Sequence, residues 1–348
     1  MIRKSTINLN YANKGKLEKI RIISEEYIRV VNLFINILWE QEKFSGDFVK
    51  DTIVESWLSA RMKQATAKQA LSIVKSQRKK RKKTKPIFTR FVMELDSRFI
   101  KIAQNVNSFD FWIRLSSVGD KIILNFPSKK HCHFNKFIEK GWAIKNSVRL
   151  RINENGYFVD IFFEKETPAI KKTGKVKAVD IGYKKLIVSS DAEFIGNDII
   201  YEKISHKKQG SKAFKRALIE RNELVNTSCK KLDLNNIKVL YAEDLKRVKH
   251  KSNGKIRKKF NNKLQRWSYS KVLDKLSMLC EEKGIAFKKI NPYKTSQRCS
   301  KCGVICKSNR QGEIYKCACG NVMDADFNAT RNILHIGEYG LDVLQPIL

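Results

Sequence analysis

The sequence predicts a multidomain α+β protein, and three observations carry that expectation. Hydrophobic spacing changes along the 348 residues, from steps of three and four near the N-terminus, to alternation in the middle, to short apolar runs between helices in the C-terminal half. Five of the eight cysteines fall between Cys299 and Cys319. The hydrophobic fraction is 42%, which suffices for real cores in two or three domains and argues against a disordered basic tail.

Charge then narrows the partner. Lys and Arg number 71 against 35 Asp and Glu, a net charge of +36. Such a chain repels itself unless a polyanion neutralises it, so nucleic acid or an anionic membrane surface is expected. No apolar run approaches the roughly 20 residues of a membrane span, and Met1-Ile2-Arg3-Lys4-Ser5-Thr6 lacks the apolar stretch and cleavage site of a secretory signal. Clustered cysteines in so long a chain point to metal ligation in a reducing cytoplasm rather than to a disulfide framework. Cys132, Cys229 and Cys280, scattered singly, are expected to be small buried apolar residues.

Taken in order, residues 1–10 alternate like a short strand. Leu17, Ile20, Ile23, Tyr27, Val30-Val31, Phe34 and Leu38 define one face of a long helix. After a Gly46-Asp47 break, residues 48–76 are rich in Ala, Gln and Lys and predict a second helix. Residues 78–85 place seven positive charges in eight positions: Arg78, Lys79, Lys80, Arg81, Lys82, Lys83 and Lys85. A solvated linker is the plain reading of such a run. Between two ordered segments of an already basic chain it points to phosphate contact instead. Residues 87–165 read as short strands, with a hairpin at Asn153-Glu154-Asn155-Gly156, and suggest a small barrel. Its aromatics, interleaved with Arg and Lys, equally suit a core or a base-stacking surface.

After a linker at 168–174, the segment 176–190 predicts strand, tight Gly182 turn, strand. A basic helix follows over 207–232, then a buried strand over 237–245, a helix over 260–283, a strand over 284–290, the cysteine segment, and a helix over 324–334.

Two constellations carry chemistry. Asp180 and Glu243 each end an apolar strand, and Asp326 lies near a helix start. Any one of them alone is an ordinary strand-end or N-cap acid. Three in this order point to carboxylates converging on Mg²⁺, because unpaired buried acids are costly and Mg²⁺ prefers oxygen ligands. Two such ions would suit phosphodiester hydrolysis. Asp244 is turned away from Glu243 by strand alternation, and Asp191 reads as a turn residue. The second constellation pairs Cys299-Ser300-Lys301-Cys302 with Cys317-Ala318-Cys319-Gly320, which matches a structural Zn²⁺ site. The second knuckle is one residue short, which strains ligation by both thiolates and leaves Cys306 open as an alternative ligand.

At Val179-Asp180-Ile181-Gly182, Ala242-Glu243-Asp244-Leu245, 295–303 and Asp324-Ala325-Asp326-Phe327-Asn328-Ala329 the chain resembles the TnpB family of insertion-sequence proteins, relatives of compact type V CRISPR effectors. The motifs cover residues 175–335; the N-terminal half matches by layout. The resemblance implies an RNase H-like (RuvC) α/β nuclease domain over 171–294 and 322–348, with Asp180, Glu243 and Asp326 holding two Mg²⁺. It implies a target-nucleic-acid-binding zinc ribbon over 295–321, with Cys299, Cys302, Cys317 and Cys319 as ligands. It further implies a β-barrel wedge domain from 1–15 and 87–170, with a helical recognition domain at 16–86 inserted. The activity implied is RNA-guided DNA endonuclease, cutting beside a short target-adjacent motif. Its partners would be a guide RNA and double- and single-stranded DNA, with no membrane, in a prokaryotic cytoplasm at the nucleoid. A compact type V effector and a non-cleaving RNA-guided repressor are the alternatives, and oligomeric state stays open.

Overall fold

The computed structural model describes residues 1–43, 52–81, 83–106, 108–245 and 258–340. The Gly46-Asp47 break, residues 48–51, Lys82 and residues 341–348 therefore lie outside the described residues. The chain divides into two compact units, Met1–Glu166 and Thr167–Leu348. The whole is a mixed α/β multidomain protein. Among the described residues no helix is long and apolar enough to cross a membrane.

In the first unit, β1 (Ile2–Asn8) leads into α1 (Lys14–Glu40). The Asn13 side chain caps α1 by accepting from Lys16 N at 3.0 Å, and the predicted stripe from Ile20 to Leu38 is buried. The second helix, α2 (Ala60–Arg78), starts well after the expected position 48. Ser59 sets the start, accepting from Met62 N at 3.1 Å, while residues 52–56 carry Ile53 and Val54 in non-helical backbone and Leu58 forms a β-bridge to Gly119. Tertiary pairing thus overrides the Ala- and Gln-rich propensity.

The strands are β2 (Val92–Asp96), β3 (Ile100–Val106), β4 (Phe109–Leu115), β5 (Leu124–Ser128), β6 (Ala143–Asn153) and β7 (Gly156–Glu164). Hydrogen bonding separates them into an antiparallel sheet ordered β1-β7-β6-β2 and another ordered β3-β4-β5. A short helix, α3 (Cys132–Glu139), was not signalled by the sequence; His131 caps it and Phe134 anchors it. Cys132 opens that helix exposed, unlike buried Cys229 and Cys280, whose thiols burial pushes up to about 12. In the same unit Asp160 has a fully buried carboxylate paired with Lys4 at 3.0 Å and Arg151 at 2.8 Å, and it accepts from Thr6 Oγ1 at 2.6 Å.

The second unit is built on one five-stranded sheet. Its strands are β8 (Lys175–Asp180), β9 (Ile187–Ser189), β10 (Phe194–Ile195), β11 (Ile237–Glu243) and β12 (Ala286–Ile290). They lie in the order β10-β9-β8-β11-β12. β8, β11 and β12 run parallel, β9 pairs antiparallel with β8, and β10 pairs antiparallel with β9. The β8–β9 turn needs Gly182, since a Cβ there would sit 2.5 Å from Lys185 O. Helices α4 (Ile199–Ser205), α5 (Lys212–Lys231), α6 (Lys258–Arg266) and α7 (Tyr269–Lys283) follow in sequence around these strands. The expected single helix over 260–283 is two, interrupted at Trp267-Ser268.

One sheet face, through Val179, Leu240 and Ala242, packs with Val225 and Cys229 of α5 and Val272, Leu276 and Cys280 of α7. The other, through Ala178 and Tyr241, packs on Ile333 of the last helix, α8 (Ala325–Tyr339). Helix and sheet approach closely there: a Cβ at Gly337 would lie 2.5 Å from the Tyr241 ring.

Two outcomes follow from this packing. Gly337→Ala forces α8 off the sheet and lowers stability by about 1–3 kcal/mol, read as a fall in melting temperature. Asp160 is held below the ordinary carboxyl range: burial opposes this, but the bonds from Arg151, Thr6 and Lys4 prevail. Its stabilisation is therefore complete above about pH 4 and is lost as pH falls through its depressed value. Asp160→Asn costs about 1–3 kcal/mol at neutral pH and removes that part of the acid dependence, measurable by denaturation at pH 3 to 7.

Candidate active site and metal centre

Register brings two of the predicted acids together. Tyr241 lies beside Ala178 and Ala242 beside Val179, so the next pair along these parallel strands is Glu243 beside Asp180. With side chains alternating, Asp180 shares a face with Ala178, and Glu243 shares one with Tyr241. That is the face covered by α8, which carries Asp326 in its first turn. Asp324 is the N-cap of α8: its Oδ1 accepts from Asp326 N at 3.0 Å and Phe327 N at 3.1 Å.

The electrostatics record the crowding. Burial first, then the charges of Glu243 and Asp326, hold the Asp180 carboxyl well above its ordinary range, and Arg310 offsets part of this. Burial also raises Glu243, against a hydrogen bond from the Thr295 hydroxyl and the charge of Arg310. Arg310 Nη2 meets Asp326 Oδ1 at 2.8 Å. The three acids thus gather around a guanidinium. They do so more loosely than the cysteines, the only group of three or more His, Cys, Asp or Glu among the described residues whose ligand atoms all lie within 4.8 Å. An all-carboxylate donor set, with Asp180 and Glu243 raised chiefly by burial, suits a hard divalent cation.

Cys299, Cys302, Cys317 and Cys319 form that tighter group. Sγ atoms of Cys299 and Cys319 are 3.7 Å apart, and those of Cys302 and Cys317 are 3.6 Å apart. A tetrahedron with Zn–S bonds of about 2.3 Å puts its sulfurs at about this separation. The short Cys-x-Cys knuckle therefore reaches, helped by Gly320 at φ +82°. Cys306, the alternative ligand, lies outside the group with its Sγ 3.0 Å from Ser308 Oγ. Burial opposes ionisation of Cys299, yet the Cys302 and Lys301 amides and Asn321 Nδ2, at 3.3 Å, lower its thiol to about 6. Cys317 and Cys319 lie in the connection between β14 (Ile314–Lys316) and β15 (Val322–Asp324) of a small sheet completed by β13 (Arg310–Gln311), and Cys299 and Cys302 lie within the turn closed by the Arg298–Ile305 bridge.

Several residues around the acids escaped the sequence reading. Arg310 and Thr295 come from the cysteine segment and touch two acids. Lys185, after the Gly182 turn, pairs with Asp324 and, at 3.6 Å, with Glu313, while Lys184 also pairs with Glu313. Buried Asn328 and Asn332 hold the first knuckle to α8. Their Nδ2 groups donate to Arg298 O at 2.8 and 2.7 Å, Asn332 also reaches Thr295 O at 2.9 Å, and Arg298 Nη1 donates to Asn332 Oδ1 at 3.0 Å. The available signal was two asparagines four apart on an otherwise apolar helix face.

The basic run is placed differently along its length. Arg78 reaches back to the end of α1, donating to Leu38 O at 3.2 Å, Trp39 O at 2.9 Å and Glu42 O at 3.1 Å, a helix-capping role. Lys79, Lys80, Arg81, Lys83 and Lys85 are exposed.

Comparison with known proteins adds four findings. A family model described as "Cas12f1-like, TNB domain" matches residues 269–333. The CRISPR-associated endodeoxyribonuclease Cas12f1 of Sulfoacidibacillus thermotolerans is 51% identical over 72 residues, 20% of this chain and 17% of that protein. A TnpB-like protein of Methanocaldococcus jannaschii is 35% identical over 100 residues, 28% of this chain and 34% of that protein. The matched segments therefore span about a third or less of these relatives. The cryo-EM structure of a Cas12f1–sgRNA–target DNA complex shares the fold, with TM-score 0.58 at 15% identity over 91% of this chain and 81% of that one.

For the cysteine group, Zn²⁺ added to metal-stripped protein binds in a 1:1 ratio and raises the melting temperature. Cys302→Ser weakens that uptake at least tenfold, and Cys306→Ser leaves it unchanged, both read by a zinc-chelator competition.

Proposed function

We propose that this chain, a relative of the TnpB and compact type V CRISPR proteins, is an RNA-guided, Mg²⁺-dependent DNA endonuclease. The observation that carries the reading is Asp180 and Glu243 side by side at the ends of parallel strands, facing Asp326 on α8. The strand order β10-β9-β8-β11-β12, with three parallel strands, supports a RuvC-like nuclease domain around them. In this reading residues 171–294 and 322–348 are that domain, 295–321 the zinc ribbon, 1–15 and 87–170 the wedge domain, and 16–86 the recognition helices.

Two divalent ions bound there would supply an activated water and a stabilised leaving oxygen for in-line phosphodiester hydrolysis. Asp180, Glu243 and Asp326 would hold them. The Thr295 hydroxyl orients Glu243, and the Asp324 cap fixes the start of α8 and with it Asp326. Arg310, already among the acids, is placed to meet the negative charge of a scissile phosphate. Guide RNA and DNA are the partners that charge of +36 and the Cas12f1 fold likeness support. Pairing with the guide would read sequence, and the protein would read backbone, shape and an adjacent motif. A compact type V effector is the second reading, favoured by the 51% identity with Cas12f1. A non-cleaving repressor is disfavoured because all three acids stand.

Sequencing the RNA that copurifies with the protein tests guidance: a discrete species with a variable end is expected, and random fragments overturn the reading. Asp180→Ala, Glu243→Ala and Asp326→Ala each reduce guided cleavage by at least 10³-fold while RNA retention is unchanged. Cutting by Asp326→Ala at the normal rate transfers the third role to Asp324. Because the Asp180 carboxyl is raised, its ionised form destabilises the metal-free protein. Mg²⁺ uptake must displace its proton, so Mg²⁺ affinity rises with pH through that raised range, measurable by calorimetry. Neutralising Lys79, Lys80, Arg81, Lys83 and Lys85 lowers nucleic-acid affinity and flattens its salt dependence without altering target choice. An unchanged salt slope returns the run to a linker.

A further inference from the structure

Two cations on neighbouring helices, α5 and α7, share one neutral acceptor. Lys271 of α7 donates to Asn222 Oδ1 at 2.7 Å, and Arg221 of α5 donates to the same oxygen at 3.3 Å. Both touch one atom, so they lie no further apart than these two bonds combined. Arg221 also reaches Arg266 O at 3.2 Å, and its buried Nε has no partner. No carboxylate among the described residues forms an ion pair with either. Burial lowers the pKa of both groups, and Arg221 lowers that of Lys271 further, the signature of cations lacking a counter-charge.

Two like charges held over a neutral amide are unfavourable until an anion joins them. The surroundings indicate which anion. Arg266 leads into Trp267, whose Nε1 donates to Gly182 O at 2.8 Å, two residues beyond Asp180. Two residues of chain span at most about 7 Å, so the Gly182 carbonyl that Trp267 holds is near Asp180, while α5 and α7, which carry the cations, cover the other face of the sheet. Tyr183, next to Gly182, stacks on Tyr201 at 4.7 Å, and both Tyr183 and Trp267 are partly exposed. Flat rings beside unpaired cations suit a single strand, whose bases are free to stack, rather than a duplex.

We propose that Arg221 and Lys271 form a phosphate-binding site for single-stranded DNA, with Tyr183 and Trp267 as the adjoining stacking wall. The site does not rest on the nuclease reading.

The test uses full-length protein with its copurified RNA, carrying Asp180→Ala to silence cutting and without magnesium. It is titrated with a fluorescein-labelled oligo-dT of about 15 nucleotides between about 50 and 200 mM salt. Arg221→Gln and Lys271→Gln should each weaken binding about three- to tenfold and reduce the slope of log affinity against log salt by about 0.7. Arg221→Lys should keep most of the slope. Unchanged affinity and slope in both Gln variants overturns the site. Loss of copurified RNA with DNA binding intact overturns the assignment to DNA. If Arg221→Gln lowers the melting temperature sharply, Lys271→Gln, at an exposed position, decides alone. No cleavage is read, so failure here leaves the assignment of the acids standing, and failure of the acid variants leaves this site standing.

Discussion

Repulsion between carboxylates on adjacent parallel strands is the constraint around which the second unit is arranged. Asp180 and Glu243 lie side by side at the ends of β8 and β11, on the face that α8 covers. Burial makes ionisation of both costly, and the charges of Glu243 and Asp326 add to that cost at Asp180, so positive charge has to be supplied. Arg310 supplies part of it within the chain, and a divalent cation would supply the rest. A hydrophobic substitute for these acids would remove the strain, so their presence at two strand ends points to chemistry rather than stability.

The cysteine segment is bound to that centre from several directions. Arg310 grips Asp326, Thr295 grips Glu243, and Glu313 and Asp324 meet Lys184 and Lys185 across the β8–β9 turn. Beneath them, Asn328 and Asn332 satisfy the carbonyls of the first knuckle in a buried network that allows little slippage. Four cysteines at tetrahedral spacing lie in the segment that presents Arg310, and an ion bound there would stiffen it. The cysteine group and the carboxylate group are therefore joined through one segment, which carries both the thiols and the Arg310 that meets Asp326.

The excess of positive charge has more than one use. Arg78 stabilises the end of α1 by bonding its last carbonyls. Lys177, almost wholly buried, is matched by Glu193 at 2.6 Å and Asp191 at 2.9 Å. Asp191, read from the sequence as a turn residue, thus also serves as a counter-ion. Lys79 to Arg81, in contrast, stand exposed, and Arg221 and Lys271 share only an amide oxygen. Cations without acids are the ones left to meet a polyanion.

By itself the sequence determined most element types, the placing of Asp180 and Glu243 at strand ends and of Asp326 near a helix start, and the four-cysteine knuckles. These depend on local spacing: apolar runs that end in an acid, steps of three and four along α1, and paired Cys in tight turns. Boundaries were less legible. The start of α2 depends on Ser59 and on the Leu58–Gly119 bridge, a contact between residues far apart in sequence. The helix at 132–139 is too short for its period to register. Tertiary structure alone decided which acids face each other, because that depends on the register of β8 against β11 and on the face α8 covers. It alone placed Arg310 and Thr295 at the acids, closed the short second knuckle and excluded Cys306. Those facts are distances between side chains remote along the chain, and hydrophobic periodicity carries no information about them.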